Sequence, residues 1–273
     1  METKMDYAIE DLKKILFQNI TPNNEIVFIA GNLANFGYFN SKNKKDLLDS
    51  IIESIMEASN YQSTIMTQTM SFQICNTTTP FNRYTWSNLG AFGNYLLNLN
   101  GSIRSLHPFA SYTAFGKNAK ICDCKIPFAY GLKSPYDNML KYNNILMLSM
   151  GMEPNLTCSI VHHAEFNMHV PYRYIKEFTH PIQIKNEKII YQKFYLHVLY
   201  KEYCGGGYKR NFNINFFNYF LHKYQGKIKK FPLGKNAIYL YNYKDFYNSC
   251  IEYLEQNIYA WMNEEPKIKP FIF

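Results

Sequence analysis

A run of five apolar residues, 26–30, restricts the fold of this chain more than any other feature, because an uninterrupted apolar run of this length is typical of a buried strand. Apolar residues recur at helical spacing before the run, over residues 7–16, and after it, over residues 47–56. A loop rich in small residues, 31–37, follows the run directly. The pattern predicts a helix, a buried strand, a loop and a second helix, and thus a β-loop-α unit.

The alternation of strand and helix recurs along the chain. Further elements are predicted as strands over 63–69, 112–115, 145–149 and 237–241, as helices over 88–99 and 246–258, and as an antiparallel pair within 182–200. Such alternation predicts an α/β sheet with helices on its faces. The sequence contains no evident linker, repeat or low-complexity tract, so we expect a single domain over residues 1–273.

Composition restricts the class of protein. Hydrophobic residues make up 47% of the 273 residues, enough for one substantial core. No run approaches the roughly 18 apolar residues of a membrane-spanning helix, and the first residues do not resemble a signal peptide, so we expect a cytoplasmic protein without a membrane partner. Cys122 and Cys124 are separated by one residue, which is not the spacing of a zinc or redox motif, so we expect free thiols and no metal.

The positive charge is concentrated in the last part of the chain. The net charge is +8, with 13 basic and 13 acidic residues over 1–165 but 16 basic and 8 acidic residues over 166–273. A lysine-rich segment, 223–235, and the pair Lys209-Arg210 after three glycines carry much of the excess. This segment can attract phosphates, or it can be a solvated face of ordinary lysines.

His162 and Glu165 are the candidates for catalysis. They follow Ser159 in a segment predicted to be helical, and their spacing places both side chains on one face, where the carboxylate can orient the imidazole. A histidine held in this way can act as a general base, although the spacing alone also fits a surface pair. Cys158, just before the helix, is an alternative nucleophile, but we favour a structural role for it as a small buried apolar side chain.

A longer motif supplies context for this pair. Residues 104–111 read Arg-Ser-Leu-His-Pro-Phe-Ala-Ser, followed in order by Gly131-x-x-Ser134-Pro135, the apolar segment 145–151 and His162-x-Ala164-Glu165. This ordered set, together with the first β-loop-α unit, resembles the aminoglycoside 3-N-acetyltransferase family over residues 8–175. The chain departs from the family's Ser-Ser-Leu at Gly31-Asn32-Leu33, and residues 203–235 have no clear counterpart.

The resemblance implies an α/β/α sandwich with a central mixed sheet. It also implies an enzyme that transfers the acyl group of acetyl-CoA or another acyl-CoA to the amine of a sugar-like substrate, with His162 as the base and Glu165 as its orienting partner. Two loops are predicted to line the cofactor site at the carboxyl edge of the sheet. Their residues are Gly31, Asn32, Leu33, Arg104, Ser105, His107, Pro108 and Ser111.

Some of these side chains have a more specific expected role. The Ser111 hydroxyl and backbone N–H groups of the two loops are candidate donors to the oxyanion. His107 is expected to shape its loop with the following proline rather than to transfer protons. Arg104 can pair with a CoA phosphate or anchor its loop to a carboxylate. His163 and Arg173 are the predicted substrate contacts, with packing as the alternative for His163.

The charge asymmetry bears on the acceptor. A polycationic aminoglycoside requires an acidic site, whereas this chain is basic, so we expect an acceptor that carries phosphates, such as a nucleotide-linked amino sugar for surface polysaccharide synthesis. An aminoglycoside N-acetyltransferase is the first alternative. A non-enzymatic, basic nucleic-acid-binding protein is the second, but the ordered motifs argue against it and no nucleic acid is expected. The sequence leaves the oligomeric state open, with a homodimer among the options.

Overall fold

The computed structural model describes residues 5–40, 43–157, 159–184, 188–204, 214–262, 265–267 and 269. Cys158, Gly205–Gly207, Lys209 and Arg210 lie outside them, so the hypotheses on these residues stay untested. The helices are α1 (Ile9–Asn19), α2 (Lys44–Ala58), α3 (Ala91–Leu97), α4 (Pro135–Met139), α5 (Pro154–Thr157), α6 (Ile160–Asn167), α7 (Ile214–Lys223) and α8 (Tyr243–Gln256). The strands are β1 (Ile26–Gly31), β2 (Thr64–Gln68), β3 (Ile103–Arg104), β4 (Tyr112–Gly116), β5 (Ile145–Met150), β6 (Arg173–Ile182), β7 (Ile190–Leu199), β8 (Lys229–Leu233) and β9 (Asn236–Asn242).

A seven-stranded mixed sheet forms the centre of the molecule, with the strand order β3-β4-β2-β1-β5-β9-β8. Strand β1 is parallel to both β2 and β5, and Ile26 lies opposite Thr64 on one side and Ile145 on the other. All other pairings in this sheet are antiparallel. The predicted α/β fold with a central mixed sheet is therefore confirmed.

Side chains of β1 alternate between two apolar cores, one on each face of the sheet. Val27 and Ile29 pack in the core that includes α1 and α2, and Phe28 packs in the core that includes α6 and α8. All three are buried, as expected for a strand covered on both faces. The apolar run at 26–30 thus predicted the central strand correctly.

Strands β6 and β7 form a separate two-stranded antiparallel sheet. The prediction of an antiparallel pair was correct, but its placement within 182–200 was wrong, because the first strand begins at Arg173 and ends at Ile182. Exposed polar residues such as Lys176 and Glu177 interrupt the apolar pattern of β6 and concealed it. Bridges from Phe81 to Ile182 and from Phe128 to Tyr195 connect this hairpin to loops of the main domain.

Gly31 lies where the end of β1 packs closely against the end of β5. Its φ is +126°, and a Cβ atom built there would lie 2.1 Å from the carbonyl oxygen of Met150. Glycine meets both constraints, because it adopts a positive φ readily and has no Cβ atom. This contact brings the loop after β1 against the segment that leads from β5 into α5 and α6.

No helix in the described ranges is both long and apolar enough to cross a membrane.

Candidate active site

Loops from several strands meet at one edge of the main sheet. The carboxyl ends of β1, β2 and β5 share this edge because the three strands are parallel. Strand β4 is antiparallel to β2, so the loop 105–111 that precedes β4 lies at the same edge. Ligands of α/β sheets bind at such edges. The loop after β1, the loop 105–111 and the segment that leads from β5 to α6 all lie here.

His162 and Glu165 form a hydrogen-bonded pair on α6. The helix begins after Ser159, and the three-residue spacing places His162 Nδ1 2.6 Å from Glu165 Oε2. The imidazole is 30% exposed, whereas the carboxylate is only 1% exposed. The carboxylate thus accepts the Nδ1–H, fixes the tautomer and leaves Nε2 as the basic nitrogen of the ring.

Two neighbouring side chains hold the buried Glu165 carboxylate. The hydroxyl of Tyr172 donates to Oε1 at 2.9 Å, and Arg173 Nε forms an ion pair with Oε2 at 2.9 Å. Burial alone raises the pKa of Glu165, but the charges of Arg173 and His162 and the two hydrogen bonds outweigh burial and lower the pKa to about 2. Glu165 is therefore ionised at neutral pH and can stabilise an imidazolium at His162.

Arg173 was a predicted substrate contact, but its side chain is buried against His162 and Glu165. Its side chain is buried, its Nη1 donates to the carbonyl of His197 at 3.3 Å, and its Nη2 lies 3.3 Å from His162 Nδ1. His163, the other predicted contact, is buried between the rings of Tyr136 and Tyr247. Both side chains support the pair or the core, so for His163 the geometry favours packing.

Arg104 is buried and uses its guanidinium to hold three loops together. Its N–H groups donate to the carbonyls of Arg83, Thr85 and Thr69 and to the hydroxyls of Ser71 and Ser111. Burial lowers its pKa to about 9, so it is still charged at neutral pH. Of its two predicted roles, anchoring the loop fits this geometry, with carbonyl and hydroxyl oxygens rather than a carboxylate as acceptors.

Arg104→Lys is expected to destabilise the fold by about 2 kcal/mol, because an ammonium has three donors and cannot reach acceptors spread over a planar fork. Urea unfolding at pH 7 measures the loss. Arg83→Lys, at an exposed arginine of the same region, is the matched control and should change stability by less than about 0.5 kcal/mol. A loss at Arg104 no larger than in this control would contradict the anchoring role.

Ser105, Pro108 and Ser111 of the loop 105–111 are also buried. Ser105 Oγ accepts from the N–H of Tyr112, and the Pro108 carbonyl accepts from the N–H of Ser71. The Ser111 hydroxyl donates to the carbonyl of Thr69 at 2.9 Å and has no exposed surface. The geometry therefore does not favour Ser111 as a donor to the oxyanion, because its proton is donated to a carbonyl inside the fold.

His107 has the structural role that its proline neighbour suggested. Its Nδ1 accepts from the N–H of Phe109, and its Nε2 lies 3.2 Å from the carbonyl of Tyr195 on the hairpin. Burial lowers its pKa to about 4, so the ring is neutral at physiological pH. His107 thus links its loop to β7.

Two connected cavities open along the same edge. The edge groove, of about 980 Å³, is lined by Gly31, Asn32 and Leu33, three of the predicted cofactor residues. The edge cavity, of about 190 Å³, lies at the ends of β1, β2 and β5 and shares Gly31 and Leu33 with the groove. Thr157, which lines the cavity, lies five residues before His162. The predicted cofactor loop therefore adjoins the segment that leads to His162, the predicted base.

A family comparison decides the class of this fold and site. The family model described as aminoglycoside 3-N-acetyltransferase matches residues 33–255, which is most of the chain. The chain belongs to the aminoglycoside 3-N-acetyltransferase family. The resemblance read from the motifs at 104–111 and 162–165 is thus confirmed. A search of curated protein sequences returned no match.

Solved structures of aminoglycoside acetyltransferases share the fold of this family member. The aminoglycoside acetyltransferase AAC(3)-Xa superposes with a TM-score of 0.74 at 15% identity, covering 92% of this chain and 93% of its own. AAC-VIa bound to sisomicin superposes with a TM-score of 0.69 at 18% identity, covering 91% of this chain and 96% of its own. The AAC-IIIb binary complex with CoASH superposes with a TM-score of 0.69 at 15% identity, covering 93% of this chain and 98% of its own.

The sequence did not point to several residues that build the site of this N-acetyltransferase family member. Tyr172, which the sequence analysis did not select, reaches Glu165 beside Arg173, which it had placed in contact with the substrate. Lys44, also not selected, lines the edge groove with Lys235 from the lysine-rich segment. Gln68 lines the edge cavity at the end of β2. Only the tertiary fold brings these last three residues to the same edge.

The lysine-rich segment 223–235 divides in the structure. Lys235 is the member that lines the edge groove, where its Nζ lies over the ring of Tyr38. Three lysines form ion pairs with acids, namely Lys223 with Glu252, Lys227 with Asp245 at 3.8 Å and Lys235 with Asp6 at 3.2 Å. Much of this segment is therefore an ion-paired surface, and only one end of it faces the groove.

The described part of the chain contains no cluster of three or more histidine, cysteine, aspartate or glutamate side chains placed to hold a metal ion.

Proposed function

We propose that this protein transfers an acetyl group from acetyl-CoA directly to an amine of an amino sugar, with His162 as the general base. The hydrogen-bonded, ion-paired arrangement of His162, Glu165 and Arg173 is the observation that carries this proposal. It supplies an oriented, partly exposed imidazole with an ionised carboxylate partner, and membership of the family supplies the reaction class.

The reaction requires one proton to move twice. The amine nitrogen attacks the thioester carbonyl carbon, a C–N bond forms, and His162 Nε2 removes a proton from the nitrogen. The tetrahedral intermediate then collapses, the C–S bond breaks, and the leaving thiolate takes the proton from the imidazolium. Glu165 stabilises that imidazolium throughout, as the acid does in a hydrolase triad.

The oxyanion of the intermediate needs hydrogen-bond donors near the edge cavity. Leu33 begins a 3-10 turn, so its N–H is not used within that turn, and Gln68 Nε2 has only long contacts of 3.5 Å to Tyr136 and Thr157. Both residues line the cavity. We propose these two donors in place of Ser111.

Lys44 and Lys235 are the cations proposed to pair with the phosphates of the donor in the edge groove. We expect Lys44→Ala/Lys235→Ala to raise KM for acetyl-CoA about tenfold with kcat within about twofold, because such contacts act on binding and are screened by salt. Lys45→Ala, which removes an exposed charge paired to Asp49 on the same helix, is the matched control. An unchanged KM in the double variant would contradict this assignment.

Two acceptor classes follow from different observations. The excess of positive charge over 166–273 favours a phosphate-bearing acceptor, for which we propose a nucleotide-linked amino sugar in surface polysaccharide synthesis. Ion pairing within 223–235 weakens this argument, and membership of the family favours an aminoglycoside acceptor at least as strongly. For the protein as a whole we propose a single catalytic domain that acts in the cytoplasm.

Release of free CoA from acetyl-CoA tests both candidates. The panel contains nucleotide-linked 3-amino and 4-amino deoxysugars beside several aminoglycosides, each assayed with wild type and His162→Ala. Turnover of a nucleotide sugar that is lost in the variant supports the first class, and turnover confined to aminoglycosides supports the second. Absence of acetyl-CoA binding, measured by calorimetry, would overturn the proposed function.

A further inference from the structure

The edge cavity adjoins the edge groove at the ends of β1, β2 and β5, and apolar side chains make up most of its lining. The two volumes share Gly31, Leu33, Leu89 and Phe92, so a molecule that enters the groove can extend into the cavity. The groove alone, at about 980 Å³, lies at the upper end of the range for ligand sites, so it has room for the body of a large cosubstrate. The cavity adds a further 190 Å³ beyond it.

The lining of the cavity is mostly aliphatic. Side chains from β1, from the end of β5 and from the loops above them contribute its walls, including Ile29, Ala30, Leu33, Met150, Met152 and Leu156. Apolar walls of this kind favour a hydrocarbon over water or a polar chain. The cavity is also larger than an acetyl group requires, because an apolar protein cavity of about 150 Å³ holds the six carbons of benzene.

Two hydroxyls in the cavity wall are already engaged with the protein, whereas the Gln68 amide, proposed above as an oxyanion donor, is left for the thioester carbonyl. The Thr67 hydroxyl donates to the carbonyl of Ile29 at 2.7 Å, and the Thr157 hydroxyl is bonded to Ser149 at 2.6 Å. The two amides of a pantetheine arm need hydrogen-bond partners, and these hydroxyls are already engaged. An aliphatic chain needs no such partners, so it fits the cavity better than the arm that carries it.

We propose that the edge cavity binds the acyl group of the donor and accepts chains of up to about six carbons, so that acyl-CoAs longer than acetyl-CoA are substrates. This inference rests on the proposed function, because it assigns the acyl end of the same donor site. The transfer itself is unchanged: the C–S bond of the thioester breaks, the amide C–N bond forms, and the proton moves through His162.

A series of acetyl-, butyryl-, hexanoyl- and octanoyl-CoA tests the proposal with the full-length protein and an accepted amine. The readout is kcat/KM from CoA release. We expect butyryl-CoA to exceed acetyl-CoA about tenfold, because each buried methylene favours binding severalfold, and we expect octanoyl-CoA to fall again as the cavity is filled. A steady decline from acetyl-CoA onward would overturn the proposal while leaving acetyl transfer intact.

Two variants connect the chain-length profile to the cavity. Ala30→Leu narrows the cavity and should lower the hexanoyl-to-acetyl ratio of kcat/KM at least tenfold, whereas the near-isosteric Ala30→Ser should leave the optimum at the same chain length. Met152→Ala widens the cavity and should move the optimum to a longer chain, which keeps the test available if Ala30→Leu does not fold. Equal effects of Ala30→Leu on every donor would show that the pantetheine arm occupies this space, and would overturn the proposal. Failure of all donors, acetyl-CoA included, would instead refute the proposed function.

Discussion

Replacement of His162 by alanine is expected to lower kcat about a thousandfold and to leave KM for acetyl-CoA within about twofold, because loss of a general base acts on the transition state. The imidazole is 30% exposed and its Nδ1 is held by Glu165, so no second group of the pair can replace it. Initial rates of CoA release at saturating donor measure the change. Donor binding by calorimetry shows separately that the variant is folded.

A second histidine variant serves as the control for this prediction. His222 is exposed near the end of α7, and His222→Ala should retain wild-type kcat. The Glu165→Gln variant should lie between the two, because a neutral amide can still orient the ring but cannot stabilise the imidazolium. If His162→Ala keeps more than about a third of wild-type kcat, the base is a different group.

The Arg173→Met variant is expected to lose about 3–5 kcal/mol of unfolding free energy, because it leaves the Glu165 carboxylate buried without its counter-charge. Urea unfolding at pH 7 measures this loss. The double variant Arg173→Met/Glu165→Gln removes both charges and should recover much of the stability, since a buried ion pair is far more costly to break than to replace. No recovery in the double variant would show that Arg173 acts through packing instead.

The pH dependence of stability gives a second measure of the same ion pair. The pKa of Glu165 is lowered from 4.5 to about 2 in the folded state. The carboxylate therefore contributes stability that is fully present above pH 4.5 and is lost as the pH falls towards 2. Wild type should lose stability over this window more steeply than Glu165→Gln, and equal slopes would contradict the depressed pKa.

The sequence predicted those elements of the fold whose periodicity is strong and local. The buried run 26–30, the helix at 47–56 and the closing strand and helix all lie close to their observed positions. Strand β3 has only two residues, and β6 carries polar side chains on its exposed face, so neither shows a clear period. Their structure depends on tertiary pairing, which a single sequence does not encode locally.

The sequence predicted the contact between His162 and Glu165 but not the surroundings of the other candidate residues. Spacing alone placed His162 and Glu165 on one helical face, and the structure shows them bonded. Arg104 and Ser111 carry polar groups that sequence reasoning directs toward a ligand, yet both are buried and bonded to the fold. A motif records which residues a family needs, and it does not distinguish those that hold a loop from those that contact a ligand.

His162, Glu165 and the side chains that hold them come from twelve neighbouring positions, 162–173, whereas the edge groove is assembled from segments spread between Tyr7 and Lys235. Residues of the groove can therefore be substituted one at a time without changing the segment 162–173. Variants with a different donor or acceptor can thus be sought while residues 162–173 are kept unchanged. The natural targets for mutagenic libraries are then Tyr38, Leu89 and Met152, which line the groove or the cavity outside that segment.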